Sequence, residues 1–252
     1  PEPMLDLGLF RSGTVRGVLR LGSLESAAGA RLPRVLSAFH AKHPEVSVEL
    51  QTGTTGTLLR RLEHFEVEAA FVSEPFEKGS LSSRPAFEEE LVLITAKGSP
   101  ALQRPADLGG RTLVVFPHGC SYRRRLHEWL AEGGISPGRV LDLGSYHAIV
   151  ACVAGGTGVA IVPAEMLDHA VLGSAVQRHP LPLRLRVNYT HLVWSGEASP
   201  ALQGLIDLLP SSHDASKGEN TLPFTTGTDA KTSRREKEPR SSRGRSVSCG
   251  PW

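Results

Sequence analysis

The sequence predicts an α/β fold built from two Rossmann-like lobes with a cleft between them. Apolar segments with the periods of strands and helices alternate from residue 18 to residue 72, and the alternation restarts near residue 111. Such alternation is typical of a sheet with helices on both faces. We therefore expect a mostly parallel sheet and two successive units, joined around residues 95 and 96.

The first unit begins with a short strand and a long amphipathic helix. Leu32, Val35 and Phe39 recur at spacings of three and four, which places them on one helical face. Pro44 ends this helix, because the residue before a proline avoids the helical region. Strands are predicted at residues 18–21, 46–50, 69–72 and 90–96, and helices at residues 27–43 and around 58–62.

The second unit contains a glycine-rich connection at residues 154–163. Glycine adopts the left-handed conformation that ends a helix, and an apolar strand follows at once. A Walker phosphate loop would continue with Gly-Lys-Ser/Thr, which is absent here. A dinucleotide-binding fingerprint follows a strand and opens a helix, whereas these glycines follow a helix and open a strand. The glycines are therefore expected to serve the geometry of this helix-to-strand connection. Strands are predicted at residues 111–116, 140–141, 158–163, near 176 and 186–194, and helices at 121–131, 145–154 and 199–209.

Composition limits the class of protein. The chain has 252 residues, of which 40% are hydrophobic, and it has no run of the about 18 apolar residues that a membrane span needs. Three scattered cysteines fit reduced thiols in the cytoplasm better than a disulfide framework. No His/Cys cluster has metal-ligand spacing, so neither a metal nor a cofactor is expected.

Charge is distributed unevenly along the chain. Residues 211–252 hold eight Lys/Arg and five Asp/Glu, which leaves 20 basic and 21 acidic side chains in the preceding 210 residues. That near-neutral body has no electrostatic footprint for nucleic acid. The polar tail 211–252 is expected to be disordered, and residues 1–12 to be a linker or remnant. The lobes are expected at 13–95 plus 196–210 and at 96–195.

Hydroxyl groups recur where predicted strands give way to helices. Each could be a plain helix cap, but helix N-termini also attract anions, and ligands of open α/β sheets bind beyond the carboxyl ends of the strands. Facing turns from two lobes would line one small polar cavity, and these turns together with Arg123 favour a small carboxylate. The turns contain Ser23 and Ser26, Thr54 and Thr55, Gly119, Cys120, Ser121 and Tyr122, and Ser145.

Cys120 could also be a nucleophile, with His118 nearby and a helix start to lower its pKa. A nucleophile needs a positioned base and an oxyanion site, and this spacing shows neither. No catalytic residue is therefore assigned. Of Arg123, Arg124 and Arg125, one is expected to reach a ligand or partner, since adjacent helix residues lie about 100° apart.

Several of these segments, in this order, resemble the effector-binding domain of LysR-type bacterial transcriptional regulators. The resemblance covers about residues 13–210. It is carried by Gly-Val-Leu-Arg-Leu-Gly at 17–22, Leu-Pro at 32–33, His-Pro at 43–44, Val-Glu-Leu at 48–50, Gly-Thr-Thr at 53–55 and the stretch 155–163.

This resemblance implies a fold similar to type II periplasmic binding proteins, with a small-molecule effector between the lobes and the last helix returning to the first lobe. It assigns effector contacts to Ser23, Leu24, Ser26, Thr54 and Thr55, and to Gly119, Cys120, Ser121, Tyr122 and Ser145. It also implies a homodimer, in which helix 27–43 contacts helix 121–131 of the other copy. The winged helix-turn-helix of the family is not in this sequence, so DNA contact is expected only through such a separate domain.

Two other functions stay open on the sequence. A solute-binding protein of a transporter would have a similar fold but should carry a secretory signal, and none is visible. A small hydrolase or transferase would depend on Cys120.

Overall fold

The computed structural model describes residues 14–169 and 171–210, with the side chain of His169 left aside. The predicted linker 1–12 and the predicted disordered tail 211–252 lie outside these residues. Within the described part, none of the helices has the length and apolar character that crossing a bilayer requires.

Strands and helices alternate along the chain, as predicted. The strands are β1 (Gly17–Ser23), β2 (Val46–Thr52), β3 (Ala69–Ser73), β4 (Ser82–Ala96), β5 (Leu113–Val115), β6 (Val140–Asp142), β7 (Ala160–Pro163), β8 (Val176–Pro180) and β9 (Val187–Trp194). The helices are α1 (Glu25–Ala30), α2 (Leu32–Lys42), α3 (Thr55–Glu63), α4 (Ser121–Glu132), α5 (Tyr146–Ala154), α6 (Ala164–His169), α7 (Leu183–Arg186) and α8 (Pro200–Ile206).

The sheets are mixed, so the expectation of a mostly parallel sheet is wrong. The larger sheet has the order β2-β1-β3-β9-β4-β7, with β8 also paired to β4, and the smaller sheet pairs β5 with β6. β1 runs parallel to β2 and β3, and β5 to β6. β9 and β4 run antiparallel to all of their partners. Apolar periodicity identifies a strand but carries no information about its direction, which explains the error.

Strand β4 connects the two halves of the molecule. Its first part pairs with β9, and its last part, from Leu91 onward, pairs with β7 and β8. Only residues 90–96 of this strand were predicted. In its first part, Pro85 and the three glutamates at 88–90 obscure the alternation of apolar and polar residues. The predicted lobe boundaries stay a prediction, and the pairing favours crossing points near Leu91 and Val187.

Separate hydrophobic cores lie on the two sides of this crossing. Leu19 and Leu21 of β1 pack in one core with Leu202 and Leu205 of α8, as the resemblance implies for the last helix. Another core contains the end of β4, all of β5 and the inner face of α4, including Trp129. The ends of several strands meet between these cores, where helices α3, α4 and α5 begin.

The predicted helix 27–43 consists of two helices that meet at Arg31. Pro33 lies in the first turn of α2, where its missing N–H costs no hydrogen bond. The Arg31 guanidinium donates to the Glu88 carbonyl oxygen and lies 2.5 Å from the Glu165 carboxylate. The break therefore places a cation beside β4.

The glycine-rich stretch has the structural role that was predicted. Gly156 has a φ of 84° and reverses the chain after α5. Gly158 is needed for a different reason, since a Cβ added there would lie 2.0 Å from the Thr112 carbonyl oxygen. Val159 then bonds through its N–H to the same carbonyl group, which joins this segment to β5.

Candidate functional site

Helices α3 and α4 begin opposite each other across a cleft. Thr54 caps α3 by accepting a hydrogen bond from the Thr57 N–H, and its hydroxyl lies 3.4 Å from the His118 carbonyl oxygen. The Gly56 N–H donates to the Gly119 carbonyl oxygen at 3.4 Å. Gly119 has a φ of 89°, and a Cβ there would lie 2.8 Å from the Thr54 hydroxyl oxygen. Only glycine allows the two turns to come this close.

A cavity of about 510 Å³ opens between these turns. One wall belongs to α3 and the segment after β3, and the other to the start of α4. Among the described lining residues there is no carboxylate, and two arginines contribute positive charge. The lining consists of Thr55, Gly56, Leu59, Pro75, Phe76, His118, Gly119, Cys120, Ser121, Arg123, Arg124 and His127.

The three consecutive arginines of α4 all have partners, which is more than the sequence suggested. Arg123 lies 2.6 Å from the Asp142 carboxylate, so its charge is largely neutralised. Arg124 donates across the cleft to the Pro75 carbonyl oxygen at 2.8 Å, and its Nε lies 3.8 Å from Glu128. Arg125 donates to the backbone and side chain of β9. Arg124 is therefore the lining cation whose charge is least compensated.

A chain of hydroxyl groups runs from the cavity wall into the protein. The Ser121 hydroxyl donates to Ser73 at 2.8 Å, and the Ser73 hydroxyl donates to Asn188 Oδ1 at 2.7 Å. The Thr55 hydroxyl accepts from the Ser73 N–H and donates to the Ser73 carbonyl group. Elements from both sides of the cleft thus meet at Ser73, a residue that the sequence did not single out.

Glu89 of β4 receives three hydrogen bonds behind the cavity. Its Oε2 accepts from the Tyr122 hydroxyl at 2.8 Å, from the Asn188 amide at 2.9 Å and from the Thr190 hydroxyl at 3.1 Å. The side chain is buried. Burial raises the pKa of Glu89, while these donors and the Arg31 charge oppose the rise. Burial also raises the pKa of Tyr122 well above its usual value, so the phenol stays a donor.

A carboxylate of the protein itself occupies the start of α5. Glu25 Oε2, from α1, accepts the backbone N–H of Tyr146 at 2.8 Å. Ser145 precedes that helix, and its hydroxyl makes no capping bond. The first turn of α5 therefore already binds an anionic group from the opposite side of the cleft, as expected for a helix N-terminus.

The sequence-predicted residues fall into three groups around the cleft. Thr55, Gly119, Cys120 and Ser121 line the cavity, and Thr54 lies against its rim. Four others are buried beside it: Ser23, whose hydroxyl donates to the Leu24 carbonyl oxygen, and Leu24, Ser26 and Tyr122. Ser145 lies apart, at the start of α5. Their contact with a ligand stays a prediction.

Sequence reasoning missed Ser73, Glu89, Asn188 and Thr190, which hold the cleft together. Asn188 and Thr190 lie in a predicted strand with apolar neighbours. Two polar residues two positions apart share one face of a strand, and this was the available signal. No pattern in the sequence links that face to Glu89, about one hundred positions earlier.

The Cys120 thiol is poorly suited to nucleophilic catalysis. Burial raises its pKa, although the backbone N–H groups of Arg123 and Tyr122 and the Arg123 charge oppose the rise. A thiolate is the reactive form, so a raised pKa leaves Cys120 protonated near neutral pH.

We expect iodoacetamide to alkylate Cys120 more slowly in the folded chain than in urea, because burial raises the pKa of the thiol and lowers the thiolate fraction near neutral pH. Peptide mass spectrometry over time measures each cysteine separately. Alkylation faster in the folded chain than in urea would contradict this environment for the thiol.

The fold and the cleft together define a two-lobed α/β domain of the periplasmic-binding-protein type. The reduced regulatory domain of OxyR2 from Vibrio vulnificus superposes with a TM-score of 0.64 at 19% identity, covering 80% of this chain and all of that domain. The effector-binding domain of QuiR in complex with shikimate gives a TM-score of 0.66 at 18% identity, covering 77% of this chain and 95% of that one. The predicted fold class is thereby confirmed.

Residues 12–213 match the family model of the LysR substrate binding domain, and the chain belongs to this family. The transcriptional regulator GltR of Bacillus subtilis is 34% identical over 170 residues, which are 68% of this chain and 57% of GltR. The regulator YofA of Bacillus velezensis is 34% identical over 175 residues, 69% of this chain and 60% of YofA. The chain thus spans less than two thirds of these relatives, which are transcription regulators and not enzymes.

Proposed function

We propose that this domain senses a small carboxylate held between its two lobes and thereby controls transcription. The observation that carries the proposal is the cavity of about 510 Å³ between the facing starts of α3 and α4. Both helices direct their N-termini toward the cleft, and the macrodipoles favour negative charge there. The absence of a carboxylate among the described lining residues supports the same choice.

The size and chemistry of the lining favour a small ligand. Ligand cavities are typically about 300–1,000 Å³, so the cavity of about 510 Å³ lies toward the lower part of this range. Burial, followed by the charges of Arg123 and His118, lowers the pKa of His127. The imidazole is then neutral, and Arg124 supplies the charge. The QuiR domain of similar fold holds shikimate, itself a carboxylate.

In this proposal the predicted residues divide into two sets of effector contacts. Ser26 links the two sets, since its buried side chain hydrogen-bonds to the Tyr122 phenol. The first set is Ser23, Leu24, Ser26, Thr54 and Thr55, and the second is Gly119, Cys120, Ser121, Tyr122 and Ser145.

Effector binding is proposed to act through the angle between the lobes, with β4 and β9 as the hinge. A ligand shifts this equilibrium only as far as it binds one geometry better than the other. Two copies are proposed to pair through α2 of one and α4 of the other, so that closure changes their relative orientation. DNA contact belongs, in this proposal, to a helix-turn-helix domain outside the described residues, and the site of action is the cytoplasm.

A thermal-shift screen of the full chain against small carboxylic acids tests the proposal. A bound acid at about one hundred times its dissociation constant should stabilise the fold by about 2.7 kcal/mol. Arg124→Gln should then weaken that acid about tenfold in calorimetry, because a charge-assisted contact of about 1.4 kcal/mol is lost. Arg20→Gln is the matched control, since it removes an exposed arginine paired with Glu49 on β2.

If Arg124→Gln bound the acid as tightly as the unmodified chain does, the acid would not be bound in this cleft. Conversion of a bound acid into a product would instead favour the Cys120-dependent enzyme. A solute-binding protein of a transporter would bind the acid without any change in dimerisation.

A further inference from the structure

A second cavity of about 290 Å³ lies at the opposite end of the second lobe from the cleft. Arg111 and Thr112 precede β5, and Arg139 precedes β6. Because β5 and β6 are parallel, these residues lie at the amino ends of both strands, whereas the cleft lies beyond their carboxyl ends. The lining consists of Ala96, Ser99, Arg111, Thr112, Arg139, Gly156, Thr157 and Gly158.

Two arginines in this cavity lack partners. Neither the Arg111 nor the Arg139 guanidinium makes a hydrogen bond or ion pair within the described residues, and none of the cavity's described lining residues is acidic. By contrast, Arg16, Arg20 and Arg104 each pair with a carboxylate. Two uncompensated guanidinium groups in one cavity create a local positive potential.

Neutral groups around the arginines suit an anion as well. The hydroxyls of Ser99, Thr112 and Thr157 have no partner among the described residues, so each can donate to a ligand. Burial is the larger cause that lowers the pKa of His179, and the Arg111 charge lowers it further. His179 accepts the Leu102 N–H through Nδ1, so its imidazole adds no charge.

We propose that this cavity binds a small divalent oxyanion: a phosphate group, either free or carried on a small metabolite. Arg111 and Arg139 pair with its oxygens, since guanidinium groups match phosphate geometry with two parallel hydrogen bonds. The hydroxyls of Ser99 and Thr157 take the remaining oxygens. The volume of about 290 Å³ admits a phosphate monoester but excludes a large ligand.

This site is spatially separate from the proposed effector cleft. The two cavities share no lining residue, so failure of one proposal leaves the other intact. A carboxylate between the lobes would be lost in an Arg124 variant, and a phosphate at this site would not.

Calorimetric titration of the full chain with inorganic phosphate, at constant ionic strength set with chloride, tests the proposal. We expect saturable binding that falls at least tenfold in the double variant Arg111→Gln/Arg139→Gln. The single variants should each fall less, and they keep the test valid if the double variant folds poorly. Arg20→Gln and Arg124→Gln should bind phosphate as the unmodified chain does.

Three results would overturn the assignment: no saturable phosphate binding, undiminished binding by both single variants, or loss of binding in Arg124→Gln, which would place phosphate in the cleft. A parallel titration with phosphoethanolamine, a phosphate monoester without a carboxylate, separates the two sources. Binding of both probes supports a phosphate carried on a metabolite, and binding of inorganic phosphate alone supports the free ion.

Discussion

Replacing Glu89 with alanine is expected to lower the free energy of unfolding by about 3–5 kcal/mol, because three buried donors lose their acceptor together. The Tyr122 hydroxyl, the Asn188 amide and the Thr190 hydroxyl all donate to one oxygen of this carboxylate. Urea unfolding followed by circular dichroism measures the change. A loss under about 1 kcal/mol would mean that these donors find other partners.

Glu89→Gln separates the shape of this side chain from its charge. Burial raises the pKa of Glu89 above its ordinary value of 4.5. The folded pKa then exceeds the unfolded pKa, so the stabilisation is complete below about pH 4.5 and is lost as pH rises through the raised value. Glutamine keeps a carbonyl acceptor and does not titrate. Its free energy of unfolding should therefore vary less than that of the unmodified chain between about pH 5 and about pH 8.

Glu49→Gln is the matched control for this pH dependence, because Glu49 is exposed and pairs with Arg20 across β1 and β2. The charged or titratable groups that act on Glu89 are Tyr122, whose phenol stays a donor, and Arg31. An unchanged pH slope in Glu89→Gln would contradict a raised pKa.

The second large effect is expected at Gly158. An alanine Cβ there would lie 2.0 Å from the Thr112 carbonyl oxygen and 2.8 Å from its carbonyl carbon. Both atoms belong to backbone that bonds to Val159, so neither can move without breaking that pairing. We expect Gly158→Ala to destabilise the chain by about 3 kcal/mol or more, at the upper end for overpacking.

Two neighbouring glycines provide controls in the same stretch. Gly156→Ala should cost about 1–2 kcal/mol, since its φ of 84° is left-handed but a Cβ there meets nothing within 4 Å. Gly155→Ala should cost little, because the φ of Gly155 is −74° and the nearest atom to its Cβ lies 3.4 Å away. Urea unfolding of the three variants tests the order. A Gly158 variant as stable as the Gly155 variant would show that the backbone relaxes.

The sequence predicted local structure better than contacts between distant segments. The turns after β1, β2 and β5 were placed correctly because a hydroxyl or glycine at a strand end is a local signal. The division of the first helix was missed although Pro33 marked it. The antiparallel return of β9 beside β3 and β4 could not be seen, because it depends on contacts across more than one hundred residues.

The same distinction holds for the candidate site. Residues that begin helices, such as Thr55 and Ser121, were named from their position in the sequence. The groups that bond them to the rest of the protein, Ser73 and Glu89, lie within strands and have no distinctive neighbours. Their importance follows only from the strand order that brings β3, β4 and β9 together.

Strand β5 is only three residues long, and this shortness has a consequence for how the domain could be controlled. Leu113, Val114 and Val115 span about 10 Å and are fully enclosed in the core. One end of this rigid segment lies at the proposed phosphate cavity, and the other leads into the loop that carries Gly119 and Ser121. If the two sites are coupled, thermodynamic linkage requires that the factor by which phosphate changes effector affinity equals the factor by which the effector changes phosphate affinity. The domain would thereby compare two metabolite levels instead of measuring one.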